Sequence, residues 1–244
     1  VEISCPGARD AMFNMDDSKI FTTCQQEPKG MAVIDVEARK EIKMVPIKGG
    51  RAGGMDPQGK YFMVSASKSV HFFDSQTAEL VKTIKVPGGG GNFTCLKDGS
   101  KCYVGLRKAN AVGVIDMAKL ELMKTIETGP DANRLYLNPG NSRYGLFANE
   151  AGKSDIVSII DTQLDVKVKD IWTGLGPHNV AFDPDGKFAV ISTKKENVAT
   201  LVDTGSADPN DWDVITTDLD SGIQNNGVRW VPSPAALKKA LAQN

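Results

Sequence analysis

Residues Gly176 to Thr193 read GPHNVAFDPDGKFAVIST. Val180 and Phe182, then Phe188 and Val190, fall on alternate positions on either side of Asp183-Pro184-Asp185-Gly186-Lys187, the pattern of two half-buried strands joined by a tight turn. Gly186 can take the positive φ such a turn needs, and Asp before Gly favours a two-residue hairpin turn. Two further strand-like runs follow, Asn197–Asp203 (NVATLVD) and Asp213–Leu219 (DVITTDL). The unit is four short strands.

The unit recurs. Its turn cation stands at Lys19, Lys60, Lys101, Arg143 and Lys187, with successive differences of 41, 41, 42 and 44. The apolar-apolar-Asp end of its third strand stands at Asp35, Asp74, Asp116, Asp161 and Asp203, with differences of 39, 42, 45 and 42. Two independent markers therefore keep one beat. Four strands repeating every 40–45 residues or so, without helical periodicity, predict the blades of an all-β β-propeller. Each blade has two apolar faces that only its neighbours can bury. A β-sandwich also has short strands and regular turns, but it does not account for five copies of one cassette.

Five full repeats run from about Gly7 to Leu219, with Val1–Ile3 as a candidate outer strand for the last blade. GVRWVPSP, Gly227–Pro234, restarts an inner strand, so a partial sixth unit leaves five to seven blades open. Residues 1–232 are read as one propeller domain and 233–244 as a short C-terminal helix, capped by Ser233 with Pro234 behind it. The GGGGN run, Gly88–Asn92, is followed by a strand and not by the helix that a phosphate loop requires, and reads as a flexible connection near the axis. GSADPND, Gly205–Asp211, lengthens the last turn of blade 5 and reads as a solvated insertion.

The cassette as it stands in DGSKCYVGLRKANAVGVIDMAKLELMKTIETG, Asp98–Gly129, resembles the YVTN-type repeat of bacterial and archaeal extracytoplasmic propellers, related in fold to the heavy chain of quinoprotein amine dehydrogenases. The resemblance covers nearly the whole chain. It implies fold and leaves function open, since such propellers host redox cofactors, lactone hydrolysis and pure recognition alike.

Composition narrows the classes. A net charge of −1 over 244 residues provides no field for nucleic acid, and no run of eighteen apolar residues predicts a transmembrane helix. The sequence starts at Val1 with no charged and apolar leader ahead of it, the pattern of a removed signal peptide or of a fragment. Around the Asp98-Gly99 turn, opposed residue numbers sum to 197, which sets Cys95 against Cys102 within disulfide reach. Cys5 and Cys24 are then the second pair. Two bridges suit an oxidising compartment, periplasmic or extracellular; four buried free thiols are the alternative.

Propellers bind at one end of the central channel, where inner strands begin. Aligned on the turn, the position of His178 is taken by Arg9, Arg51, Gly91, Asn133 and Asn226, and the next positions add Asp10, Asn92, Arg134 and Asn179. Arginines and a histidine converging there point to a small anionic or carboxylate ligand. Structural hydrogen bonding, ligand contact and catalysis are all open to His178, whereas His71, inside a strand, reads as an outer-face or packing residue. With two histidines, no CxxCH and no GxSxG, the sequence identifies no cofactor and no catalytic set. A lactonase-like site wants a convergent His, Arg and Glu, and no Glu emerges at the mouth from the alignment. The expected function is thus a ligand- or protein-binding module, or a subunit of a larger assembly. A redox or hydrolytic enzyme with its site at the mouth, and a surface-layer or adhesion component, are the alternatives.

Overall fold

The computed structural model describes residues 2–220 and Val228. Its strands form five four-stranded antiparallel sheets, each from consecutive segments. Blade 1 holds β1 (Ala8–Phe13), β2 (Lys19–Cys24), β3 (Gly30–Asp35) and β4 (Lys40–Pro46). Blade 2 holds β5 (Ala52–Met55), β6 (Tyr61–Ser65), β7 (Ser69–Asp74) and β8 (Leu80–Lys85). Blade 3 holds β9 (Phe93–Cys95), β10 (Lys101–Leu106), β11 (Ala111–Asp116) and β12 (Glu121–Glu127). Blade 4 holds β13 (Ala132–Leu137), β14 (Tyr144–Asn149), β15 (Ile156–Asp161) and β16 (Val166–Trp172). Blade 5 holds β17 (Pro177–Phe182), β18 (Phe188–Thr193), β19 (Val198–Asp203) and β20 (Asp213–Asp220). This is the β-propeller that the repeat predicts. Asn226, the Gly227–Pro234 unit and the C-terminal helix lie outside the described residues, Val228 aside.

Both sequence markers have a hydrogen-bonding cause. The Asp that ends each third strand turns its carboxylate onto the N–H groups of the turn that follows. Asp74 accepts from Gln76 and Thr77, Asp116 from Ala118 and Lys119, and Asp161 from Gln163 and Leu164. Donors that the strand ladder has abandoned are thereby satisfied. At the other hairpin, Gly59, Gly99 and Gly186 take φ of 65°, 71° and 70°. That turn is wider than two residues: Asp56 still pairs with Tyr61, and Leu96 with Lys101. Its centre is unchanged, so Cys95 does face Cys102, and both expected disulfides, Cys95–Cys102 and Cys5–Cys24, are present.

The core lies between blades. Phe21, Met31 and Val33 of blade 1 meet Phe62, Val64 and Phe73 of blade 2, with Phe21 and Phe62 stacked at 5.1 Å. Comparable buried clusters join blades 2 and 3, 3 and 4, and 4 and 5. Each such side chain taken out of water is worth about 1.5–3 kcal/mol, which makes the blade faces, not the blade ladders, the main source of cohesion.

Lysines fasten the outer rims. The register of the third and fourth strands shifts in every blade, and such a bulge re-aims the side chains beside it. Next to this step Lys43 reaches Ala78 O at 2.9 Å, Lys82 reaches Lys119 O at 2.9 Å, and Lys169 reaches Trp212 O at 2.7 Å. Each crosses to the following blade. Deeper in the interface, Tyr103 and Lys101 of blade 3 share the carboxylate of Asp165 in blade 4 at 2.6 and 2.7 Å.

Three local expectations are corrected. Residues 2–4 add no strand to the last blade; Ile3 packs on Cys5 and Cys24, and Ser4 donates to Glu41 of blade 1. The glycine run is pinned, not flexible: the N–H groups of Gly89, Gly90 and Gly91 donate to Ser67 O, Ser65 Oγ and Gly105 O. The 205–211 insertion keeps its acidic side chains in water, but Pro209 is buried and the indole of Trp212 donates to Ser206 O at 2.9 Å.

Candidate functional site at the axial mouth

The end of the molecule where inner strands begin is also the end where second strands finish. Two sets of side chains therefore meet there, one from each strand. A cavity of about 50 Å³ is lined by Arg9, Arg51, Ala52, Gly90, Asn92, Arg107, Asn133, Glu150, His178 and Lys194. The volume is room for one small ion or a water or two.

Glu150 is the centre of this site. It follows β14, its side chain only 6% exposed, and its N–H is held by Asp131 O. His178 Nε2 lies 2.7 Å from Glu150 Oε1, Asn133 Nδ2 donates to the same oxygen at 2.6 Å, and Lys194 Nζ stands 3.6 Å away. Arg107 donates to Oε2 at 3.0 Å and pairs through its other nitrogen with Asp131. Burial alone would raise the Glu150 carboxyl, but the His178 hydrogen bond and charge, with Lys194 and Arg107, outweigh it and lower the pKa to about 2. A carboxylate with three donors on it and a lysine 3.6 Å away is ionised throughout the physiological range.

Arg51 is held differently. Its backbone is fixed on both sides: its N–H donates to Ser65 O at 3.0 Å, and its carbonyl accepts from Gln25 Nε2 at 3.0 Å. Among the described residues its guanidinium has no hydrogen-bond or ion-pair partner. Burial, and then repulsion from Arg107, lower its pKa, partly offset by the nearby charges of Glu150 and Asp131. Among the other cations of the cavity, Arg9 pairs with Asp10, Arg107 with Asp131 and Glu150, and Lys194 with Glu150, which leaves Arg51 as the arginine without an ion pair among the described residues.

Close backbone approach makes the geometry possible. A Cβ on Gly91 would stand 2.5 Å from Gly105 Cα and 2.7 Å from Asn133 O, so glycine is required where blades 2, 3 and 4 converge. Asn92 N–H then reaches Asn133 O at 2.9 Å, and Asn92 Nδ2 reaches Asn133 Oδ1 at 3.0 Å. The amide relay ends on Glu150.

Of the residues expected at the mouth, the structure brings Arg9, Arg51, Asn133 and His178 together, with Asn92. Arg134 lies over the Tyr136 ring at 5.3 Å, on the wall of a separate hollow it shares with Met12 and Phe93. Asn179 accepts from the Tyr136 hydroxyl. Both sit one residue beyond the mouth position on their strands, where alternation turns a side chain away. The expectation of no Glu at the mouth is wrong: Glu150 occupies it, with Arg107 and Lys194. These three follow the second strands, as Gln25 and Ala66 do in blades 1 and 2. Aligning the cassettes on that strand end exposes them. His71 is held by Ser69 and Thr83 at 2.9 and 3.1 Å, with its pKa lowered by burial, a packing residue as expected.

No protein-family model matches the chain, and no curated protein matches it in sequence. Solved structures do match in fold. A hydrazine synthase structure from Kuenenia stuttgartiensis is 17% identical, with 97% of this chain and 92% of that one covered at a TM-score of 0.60. A functionally unknown protein from Desulfotomaculum acetoxidans is 13% identical, covering 88% and 71% at 0.68. A putative 6-phosphogluconolactonase from Bacteroides fragilis is 19% identical, covering 87% and 70% at 0.68. At these identities the likeness is one of fold.

Proposed function

We propose that the chain is an exported, YVTN-like propeller acting as a binding module, with the axial mouth as its receptor for a small anion or carboxylate. The observation that carries this reading is Arg51: a half-buried guanidinium with no partner among the described residues, aimed at a wholly polar cavity. A planar fork in that setting is matched by a carboxylate. Two disulfides support an oxidising location, and no described helix is long and apolar enough to cross a membrane.

A hydrolytic reading gains the Glu150 and His178 pair but loses on protonation. A general base works with a pKa near the operating pH, and Glu150, held down to about 2 by the donors and charges around it, is too weak a base for that role. It acts as the counter-ion that positions the other groups.

Titration with formate or acetate at constant ionic strength tests the proposal. The parent protein is expected to gain thermal stability with added anion. Arg51→Ala is expected to lose a charge-assisted contact of about 1.5–3 kcal/mol, which weakens affinity by roughly 10–100-fold. Without ligand, the same variant should melt no lower than the parent, because the substitution removes a half-buried cation that has no ion pair among the described residues. A lower melting point with unchanged anion response would refute the assignment.

A further inference from the structure

A second hollow, of about 320 Å³, adjoins the mouth and shares Arg51, Gly90 and Arg107 with it. Its remaining wall brings Lys29, at the start of β3, and Lys108, after β10, together with Ser67, Gly89 and Asp131. Arg107 is already paired with Asp131 and Glu150. Lys29, Lys108 and Arg51 have no ion pair among the described residues, so three cations without a paired carboxylate line one depression. Backbone amides do not compete for the ligand, since those of Gly89, Gly90 and Lys108 donate to Ser67 O, Ser65 Oγ and Gly88 O. Recognition here belongs to the side chains.

Size separates the two compartments. The inner cavity of about 50 Å³ admits a single anionic group, whereas the outer hollow of about 320 Å³ admits a short carbon chain with a second one. Resting on the reading of the mouth as an anion receptor, we infer that the ligand is a two-headed anion of dicarboxylate type. One carboxylate seats on Arg51 in the mouth, and the other is taken by Lys29 and Lys108 at the rim. The flexible lysine stems follow the outer group over a range of spacings, while the guanidinium fixes the inner one. The first charge is therefore fixed at the mouth, and the second is taken at the rim over a range of chain lengths.

Calorimetric titration of the whole chain with succinate, glutarate, acetate and inorganic phosphate, at one ionic strength, tests the inference. Succinate or glutarate is expected to bind at least about tenfold more tightly than acetate. In the Lys29→Gln/Lys108→Gln double variant the dicarboxylate-to-acetate ratio is expected to fall to within about threefold of unity, and phosphate, whose charges sit on one centre, should be little affected. If acetate binds and depends on Arg51, but no dicarboxylate exceeds it, the two-point site is overturned and the mouth receptor stands. Equal dependence of phosphate and succinate on the two lysines also overturns it, since charge without spacing would then suffice. If none of the four anions binds, the mouth receptor itself fails.

Discussion

Replacing Glu150 with alanine is expected to lower stability by about 3–5 kcal/mol, the usual cost of removing one member of a buried ion pair, or on the order of 10 °C in melting temperature for a chain of this size. The variant would leave Arg51, Arg107 and Lys194 together in the cavity with His178 and no carboxylate between them. Glu150→Gln keeps an acceptor for one or two of the donors and should fall in between. Added anions should rescue the alanine variant more than the parent, because an ion can occupy the vacated position. Acidity provides an independent readout. Glu150 titrates at about 2 when folded against 4.5 when unperturbed, so its contribution is complete above pH 4.5 and disappears as pH falls through 2. About 2.5 pH units correspond to roughly 3 kcal/mol. The parent should lose that much of its stability between pH 4.5 and 2, and Glu150→Ala should show a flatter acid limb. Melting curves from pH 2.5 to 7 measure both effects. A variant within 2 °C or so of the parent at neutral pH would mean that the four contacts are incidental.

The second large effect is expected at Trp212, outside the site. Its indole is 1% exposed, sits edge-on to Tyr144 at 6.0 Å, and completes the cluster of Leu146, Val157 and Ile159 from blade 4 with Ile191 and Val202 from blade 5. Trp212→Ala should cost about 3–5 kcal/mol through lost burial and the cavity left behind. It should also free the 205–211 loop, because the Nε1–H to Ser206 O bond is lost. Trp212→Phe keeps most of the packing and loses only that bond, and is expected to retain most of the stability. Hydrogen exchange across 205–211 separates the two contributions: both variants should expose the loop, but only the alanine should loosen β16 and β20. If phenylalanine destabilises as much as alanine, the indole N–H and not the packing is the main contribution.

These two residues mark where sequence reading works and where it stops. The strand-ending Asp residues are legible because one chemistry, a carboxylate receiving the next turn's N–H groups, requires that residue type at that position in blade after blade. The inner-strand ring is half legible: Arg9, Arg51, Asn133 and His178 reach the cavity, but register shifts near the tops of β1, β13 and β17 make the facing of the next residue unreadable. Glu150 was missed for a geometric reason. From the turn cation to the end of the second strand the count is six residues in the first three blades, Lys101 to Arg107 for example, and seven in the last two, Arg143 to Glu150 and Lys187 to Lys194. An alignment held on the turn slips by one there. The insertion before Trp212 reads as solvated because its charges dominate its composition, and composition does not reveal that the Trp beyond it folds the loop back onto the core.

In the proposed anion receptor at the mouth, Glu150 organises the donors and Arg51 is left for the ligand. Anomalous diffraction from a crystal soaked in bromide tests it most directly, since the ion is small enough for a cavity of about 50 Å³. An ordered bromide is expected in that cavity, within hydrogen-bonding reach of the Arg51 guanidinium. Bromide ordered on surface lysines, with the mouth empty, would contradict it.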